Sequence, residues 1–168
     1  YLKYEGLVET RPNSGIYIKK NKMVMDLTDL MSFSEAMRRK KISYETRLIS
    51  SGIIEADKSL TQIFNIRLGD PVYQLIRLRI LDERPYLYQI VYLDYGRFKG
   101  IEGYDFSKES QYQIMEKEYG VKIIHGEERI DTTYVSSLEA KTLKIEEGSP
   151  AFFLVSQNYD QDDRLTEY

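Results

Sequence analysis

Long runs rich in β-branched, aliphatic and aromatic residues alternate along this chain with shorter segments that open on a serine. Tyr44 to Ala56, Val72 to Leu81, Tyr86 to Tyr95, Val121 to Tyr134 and Ala151 to Tyr159 have strand character. Leu165 to Tyr168 begins another strand. Ser59 to Ile66, Ser110 to Tyr119 and Leu138 to Leu143 read as short helices, the second stopped by Gly120 and the third capped by Ser136 or Ser137. Turn chemistry separates them at Leu68-Gly69-Asp70-Pro71, at Gly148-Ser149-Pro150 and at Asp160 to Asp163. Asp82-Glu83-Arg84-Pro85 joins two strand runs as a hairpin. This pattern predicts an α+β fold, an antiparallel sheet with inserted helices.

The start of the chain has a different character. Tyr1 to Glu5 reads as a last helical turn with Gly6 as its stop. Leu7 to Thr10 and Ile16 to Lys19 are short strand candidates around the turn-rich Arg11-Pro12-Asn13-Ser14-Gly15. Residues 1–23 hold Lys3, Arg11, Lys19, Lys20 and Lys22 against Glu5 and Glu9, a local +3 on a chain of net charge −3. A helix end followed by a basic hairpin is the closing part of a winged helix-turn-helix, whose wing lies along DNA phosphates; an ordinary surface hairpin fits the same residues. Met23 to Met31 connects to a helix that Ser34 is expected to cap. The cations Arg38 to Lys41 at its end suit the helix dipole.

Composition narrows the chemistry. With 42% hydrophobic and 30% charged residues, the 168-residue chain has the balance of a soluble globular domain plus a short appendage. It has no cysteine and one histidine, His125, so thiolate zinc sites, cysteine nucleophiles and multi-histidine metal centres are excluded. No metal or cofactor is expected, and no apolar run approaches the ~20 residues that span a bilayer. A chain that begins at Tyr1 is expected to be a piece of a longer cytoplasmic protein.

Arg77 and Arg79 are the residues best suited to chemistry. Two apart in a strand, they point to one sheet face, shared with Tyr73, Leu75 and Leu81. Two arginines in an apolar row are costly to bury without anions, and their forks suit phosphate or carboxylate oxygens. Either the pair forms an anion site, or acidic side chains or solvent satisfy it. Gln89 lies in the next strand; a three-residue hairpin loop brings it to the arginine face, and a two-residue loop brings Tyr88 instead. Ser110 and Tyr112 open a helix, where hydroxyls and free N–H groups can hold an anion or simply cap and pack. Glu167 is a late carboxylate able to accept from a sugar hydroxyl or amide, or a surface residue.

Together these segments resemble the effector-binding (UTRA) half of a GntR-type transcription regulator of the HutC subfamily. The resemblance rests on Leu7-Val8-Glu9-Thr10-Arg11 with Asn13-Ser14-Gly15-Ile16-Tyr17-Ile18, on Ser32-Phe33-Ser34-Glu35-Ala36-Met37, and on Gly69-Asp70-Pro71-Val72-Tyr73 with Arg77-Leu78-Arg79. Ser110-Gln111-Tyr112 before Tyr119-Gly120, then Gly148-Ser149-Pro150-Ala151 and Glu167-Tyr168, complete the order. It implies a chorismate-lyase-like domain over residues 24–168, preceded at 1–23 by the end of a winged helix-turn-helix. It implies a homodimer that binds a small phosphorylated effector and so controls operator DNA. Arg77, Arg79, Ser110 and Tyr112 match the family's phosphate-holding positions. Ser32, Ser34, Gln89 and Glu167 match positions toward the sugar, and Arg11, Asn13, Ser14 and Gly15 match the DNA-contacting wing. Gln89 departs from the glutamate that the family often carries. A chorismate-lyase-like enzyme and a dimerisation module without ligand are the competing expectations.

Overall fold

The computed structural model describes residues 8–11, 15–18 and 33–168. Strands β1 (Val8–Arg11) and β2 (Gly15–Ile18) pair antiparallel, Arg11 opposite Gly15, which agrees with the expected hairpin. Asn13 and Ser14, the connection through Met31 and the candidate Ser32 lie outside the described residues.

Two three-stranded antiparallel sheets follow. The first orders β3 (Tyr44–Glu55), β4 (Pro71–Leu81) and β5 (Arg84–Asp94); the second orders β6 (Ile123–Tyr134), β7 (Pro150–Asp160) and β8 (Leu165–Glu167). Tyr92 and Tyr168 exchange backbone hydrogen bonds of 2.8 and 3.1 Å, the pattern of an antiparallel pair, so β5 and β8 meet edge to edge. Their rings stack at 6.2 Å on the face covered by α2 (Lys58–Phe64). Side chains alternate along a strand, which turns Glu167 to the opposite face.

That opposite face carries the main core. Tyr73 and Leu75 of β4 and Val91 and Leu93 of β5 pack with Phe98, Ile101 and Phe106, and with Ile114 and Met115 of α3 (Gln111–Tyr119). Each such side chain contributes roughly 2 kcal/mol through burial. Further along β4 the same row continues into Arg77 and Arg79, so the apolar core grades directly into a polar cluster. α3 stops at Gly120, whose φ of 66° is a left-handed cap that side chains resist. α4 (Ser137–Leu143) begins at Ser136 with a full capping box to Glu139.

One local expectation is corrected, and one open alternative is resolved. Ser34 lies inside α1 (Phe33–Arg39), one residue past its start, and is not an N-cap. The β4–β5 hairpin turns on two residues, Asp82 and Glu83, both with positive φ, while Leu81 pairs with Arg84. A bulge between the Arg79 and Ile80 pairings then inserts Tyr86 as an extra residue and restores the phase, so Gln89 faces Arg77.

The turn from β7 to β8 is held from below by Arg97. Its guanidinium donates to the Leu165 carbonyl (3.2 Å) and Thr166 Oγ1 (3.3 Å) and pairs with the buried Asp160 carboxylate. The other Asp160 oxygen accepts from the backbone of Asp162 and Arg164, each at 3.0 Å. Arg97→Met strands that carboxylate. Urea unfolding should then show a loss of about 3 kcal/mol; an unchanged midpoint would mean the turn holds without the pair.

Candidate functional site

The site is built where β4, β5, β8 and the first turn of α3 converge. Arg77 and Arg79 are 3% and 5% exposed. Gln89, opposite Arg77, accepts from Arg77 Nη2 at 3.1 Å and from Arg79 Nε and Nη2 at 3.3 Å each. Arg79 Nη1 donates to Thr46 Oγ1 at 2.6 Å, and its guanidinium lies 4.8 Å from the Phe33 ring centre. Arg77 Nη2 also donates to Gln111 Oε1 at 2.9 Å. Among the described residues, every hydrogen-bond acceptor facing the two guanidiniums is therefore a neutral amide or hydroxyl oxygen.

The carboxylate of the cluster is Glu167, and it sits one group away. Gln111 Nε2 donates to one Glu167 oxygen; Tyr112 Oη (3.0 Å) and Asn158 Nδ2 (2.8 Å) donate to the other. Asn158 stands directly opposite Glu167 in the β7–β8 pairing and also donates to Tyr112 Oη at 3.1 Å. Gln111 spans from the arginines to this carboxylate. Its oxygen must face Arg77 and its NH₂ must face Glu167, since the reverse would set donor against donor and acceptor against acceptor.

Electrostatics gives the cluster its character. Burial presses both guanidiniums toward neutrality, Arg77 to about 10 and Arg79 to about 9, with the charge of Arg77 adding to the push on Arg79. Guanidiniums keep their proton at neutral pH, so two cations share one carboxylate that neither touches directly. Burial also pushes the Tyr112 phenol well above its usual range, and Glu167 reinforces this, so Tyr112 remains a donor. Among the described residues three buried donors lack partners: Arg77 Nε, Ser110 Oγ, and Tyr73 Oη of the same β4 row. Ser110 is the N-cap residue of α3, yet its hydroxyl makes no capping bond.

A cleft opens beside this cluster, between α1, the start of β3 and the start of α3. One lobe of about 300 Å³ is lined by Ser34, Tyr44, Thr46 and Lys108 among others. A second lobe of about 320 Å³ shares Ser34, Tyr44 and Lys108 and reaches Ser110, Gln113 and Arg38. Thr46 links cleft to cluster, because it lines one and accepts from Arg79 in the other.

The structure thus brings together Arg77, Arg79, Gln89, Tyr112 and Glu167. Ser34 and Ser110 line the adjoining cleft. Tyr112 is hydrogen-bonded to Glu167 rather than to either arginine. Sequence reasoning missed Gln111, Asn158, Thr46 and Phe33. Position in the Ser110–Tyr112 segment was the one hint for Gln111; nothing distinguished Asn158 until the β7–β8 register set it against Glu167. His125 is on the surface, bonded to Asp163 at 2.7 Å and stacked on Tyr159. Among the described residues no group of acidic, histidine or cysteine side chains could hold a metal ion, and no helix is long and apolar enough to cross a membrane.

The UTRA domain model matches residues 39–168. The mannosyl-D-glycerate transport/metabolism system repressor MngR of Escherichia coli is 24% identical over 162 residues, 96% of this chain and 67% of MngR. The transcriptional repressor NagR of Bacillus subtilis is 22% identical over 164 residues, 98% of this chain and 67% of NagR. The regulator YurK of Bacillus subtilis is 22% identical and this chain spans 66% of it. The chain therefore spans about two thirds of the length of these transcriptional regulators. Among solved structures, PhnF of Mycobacterium smegmatis superimposes with a TM-score of 0.82 at 26% identity, over 99% of this chain and 72% of PhnF. The separate PhnF effector domain does so at 0.76 and 26% identity, over 81% of this chain and 83% of that one. A family match over residues 39–168, in a fold shared with that effector domain, makes this chain a member of the UTRA domain family of GntR-type transcriptional regulators.

Proposed function

We propose that the chain is the effector-sensing and dimerisation part of a transcriptional repressor, and that its effector is a small phosphorylated metabolite, a sugar phosphate. The carrying observation is the uncompensated charge of Arg77 and Arg79, two buried cations bonded to neutral oxygens, together with the buried, unpartnered donors Arg77 Nε and Ser110 Oγ. An oxyanion is the group that meets Arg77 Nε, Ser110 Oγ and the first turn of α3 together. Glu167, Tyr112 and Gln89 supply hydroxyl-reading groups on either side. The names of related repressors point to carbohydrate-derived compounds, mannosyl-D-glycerate and fructoselysine. Residues 1–23 are read as the end of a winged helix-turn-helix, with Arg11, Asn13, Ser14 and Gly15 on its wing along operator phosphates. Effector and operator are then linked reciprocally: each weakens or strengthens the other by the same factor.

A thermal-shift screen of sugar phosphates against their unphosphorylated parents tests this. A ligand at a hundred times its dissociation constant stabilises the fold by about 2.7 kcal/mol, a shift of several degrees. The expected result is a shift with one phosphorylated sugar and none with its parent. A shift only with carboxylates would overturn the phosphate assignment.

The homodimer is proposed to form on the β6–β7 ribbon. Ile130, Tyr134, Phe152 and Leu154 lie in register on one of its faces, with Tyr134 77% and Phe152 74% exposed. Contiguous apolar surface of this kind marks an association face, and a second copy of the chain supplies a matching one. Analytical ultracentrifugation should report a dimer for the wild type and a monomer for Phe152→Asp; a monomeric wild type would refute it.

A further inference from the structure

Gln111 holds a position that the effector reading does not account for. It is the first residue of α3, it is buried, and its amide fills the gap between Arg77 and Glu167. It keeps opposite charges from pairing and satisfies one side of each with a neutral group. Such a spacer is a weak competitor. A phosphate oxygen accepts from a guanidinium in a charge-assisted bond roughly twice as strong as the amide's. Glu167 keeps two donors on one oxygen, Tyr112 and Asn158, when the amide leaves, and its other oxygen becomes free to accept from a ligand hydroxyl.

The local structure permits that departure. The α3 N-cap makes no side-chain bond, so no cap has to break for the first turn to adjust. The further contact of the Gln111 amide is a 3.6 Å approach to Met115 Sδ, a soft neighbour that repacks readily.

We propose that Gln111 is a displaceable gate. Its amide occupies the effector's place between Arg77 and Glu167, and binding swings it off Arg77, so that occupancy of the anion site is read by the first turn of α3. This inference rests on the anion-binding reading above. It adds that the affinity of the site is set by a residue that competes with the ligand. A purely structural glutamine would make the opposite prediction, because removing a support loosens the arginines.

Calorimetric titration with inorganic phosphate separates the cases, in wild type, Gln111→Ala, Gln111→Met and Arg79→Met. The gate predicts that Gln111→Ala binds phosphate roughly tenfold more tightly than wild type. Gln111→Met keeps the volume and packing while removing the hydrogen bonds, and it should also bind more tightly should the alanine variant fold poorly. If wild type binds and Arg79→Met does not, while both Gln111 variants bind equally or more weakly than wild type, the gate is overturned and the anion site stands. If neither wild type nor any Gln111 variant binds phosphate, the anion reading falls and the gate with it.

Discussion

Arg79→Met should lose the effector and keep, or gain, stability. Arg79 is nearly fully buried, and its partners are Thr46, Gln89 and the Phe33 ring, none of them charged. Removing a buried charge from a ligand's anionic group costs about 3 kcal/mol, roughly a hundredfold in affinity. The folded protein has no matching loss. A cation without an anionic partner is expensive to bury, and apolar replacements of similar volume are often neutral or stabilising. Methionine can follow the same path beneath Phe33, and Gln89 retains Arg77 as a donor. Melting temperature and effector affinity should therefore separate. A variant that melts several degrees lower would show that Arg79 serves the scaffold, and would remove the main support for an anion site.

The strand and helix succession was legible because periodicity and turn chemistry agree. Gly69, Gly120 and Gly148 all take positive φ where the chain turns. The Arg77–Arg79 row was legible for the same reason, since strand alternation places both on one face without any knowledge of neighbours. The position of Gln89 was not. Loop length alone gave two answers, and the fold takes neither in simple form: a two-residue turn puts Gln89 out of phase, and the extra residue at Tyr86 puts it back. A bulge is set by how the paired strands twist and pack, which periodicity does not carry. Gln111 stayed hidden for another reason. In sequence it is a polar residue in a first helical turn, where a solvated side chain is ordinary. Only the docking of α3 against β4 and β5, through Ile114 and Met115, turns it inward. The misread cap at Ser34 has a similar origin, because α1 begins at Phe33, two residues before the start at Glu35 that the serine suggests.

Gln89→Glu should stabilise the fold and weaken anion binding together. The Gln89 oxygen already lies 3.1 to 3.3 Å from three guanidinium nitrogens. Replacing the amide by a carboxylate leaves the shape unchanged and supplies the charge that the arginines lack. Hydrogen bonds to charged groups contribute about 1.5–3 kcal/mol each; part of this offsets the cost of desolvating the carboxylate, so a net gain of roughly 1–2 kcal/mol and a rise of several degrees in melting temperature are expected. The gain has a defined pH dependence. Two guanidiniums hold the new carboxyl below its unfolded value of about 4.3. The stabilisation is then complete above that value and fades as pH falls from it through the lower folded-state pKa. At pH 7 the variant should melt above wild type, and in acid the two curves should converge. Phosphate affinity should drop about tenfold at pH 7, because the ligand meets a cation pair already partly neutralised. Equal melting temperatures across the whole range would mean that the arginine charge is relieved in some other way, and the proposed demand for an anion would fail at its source.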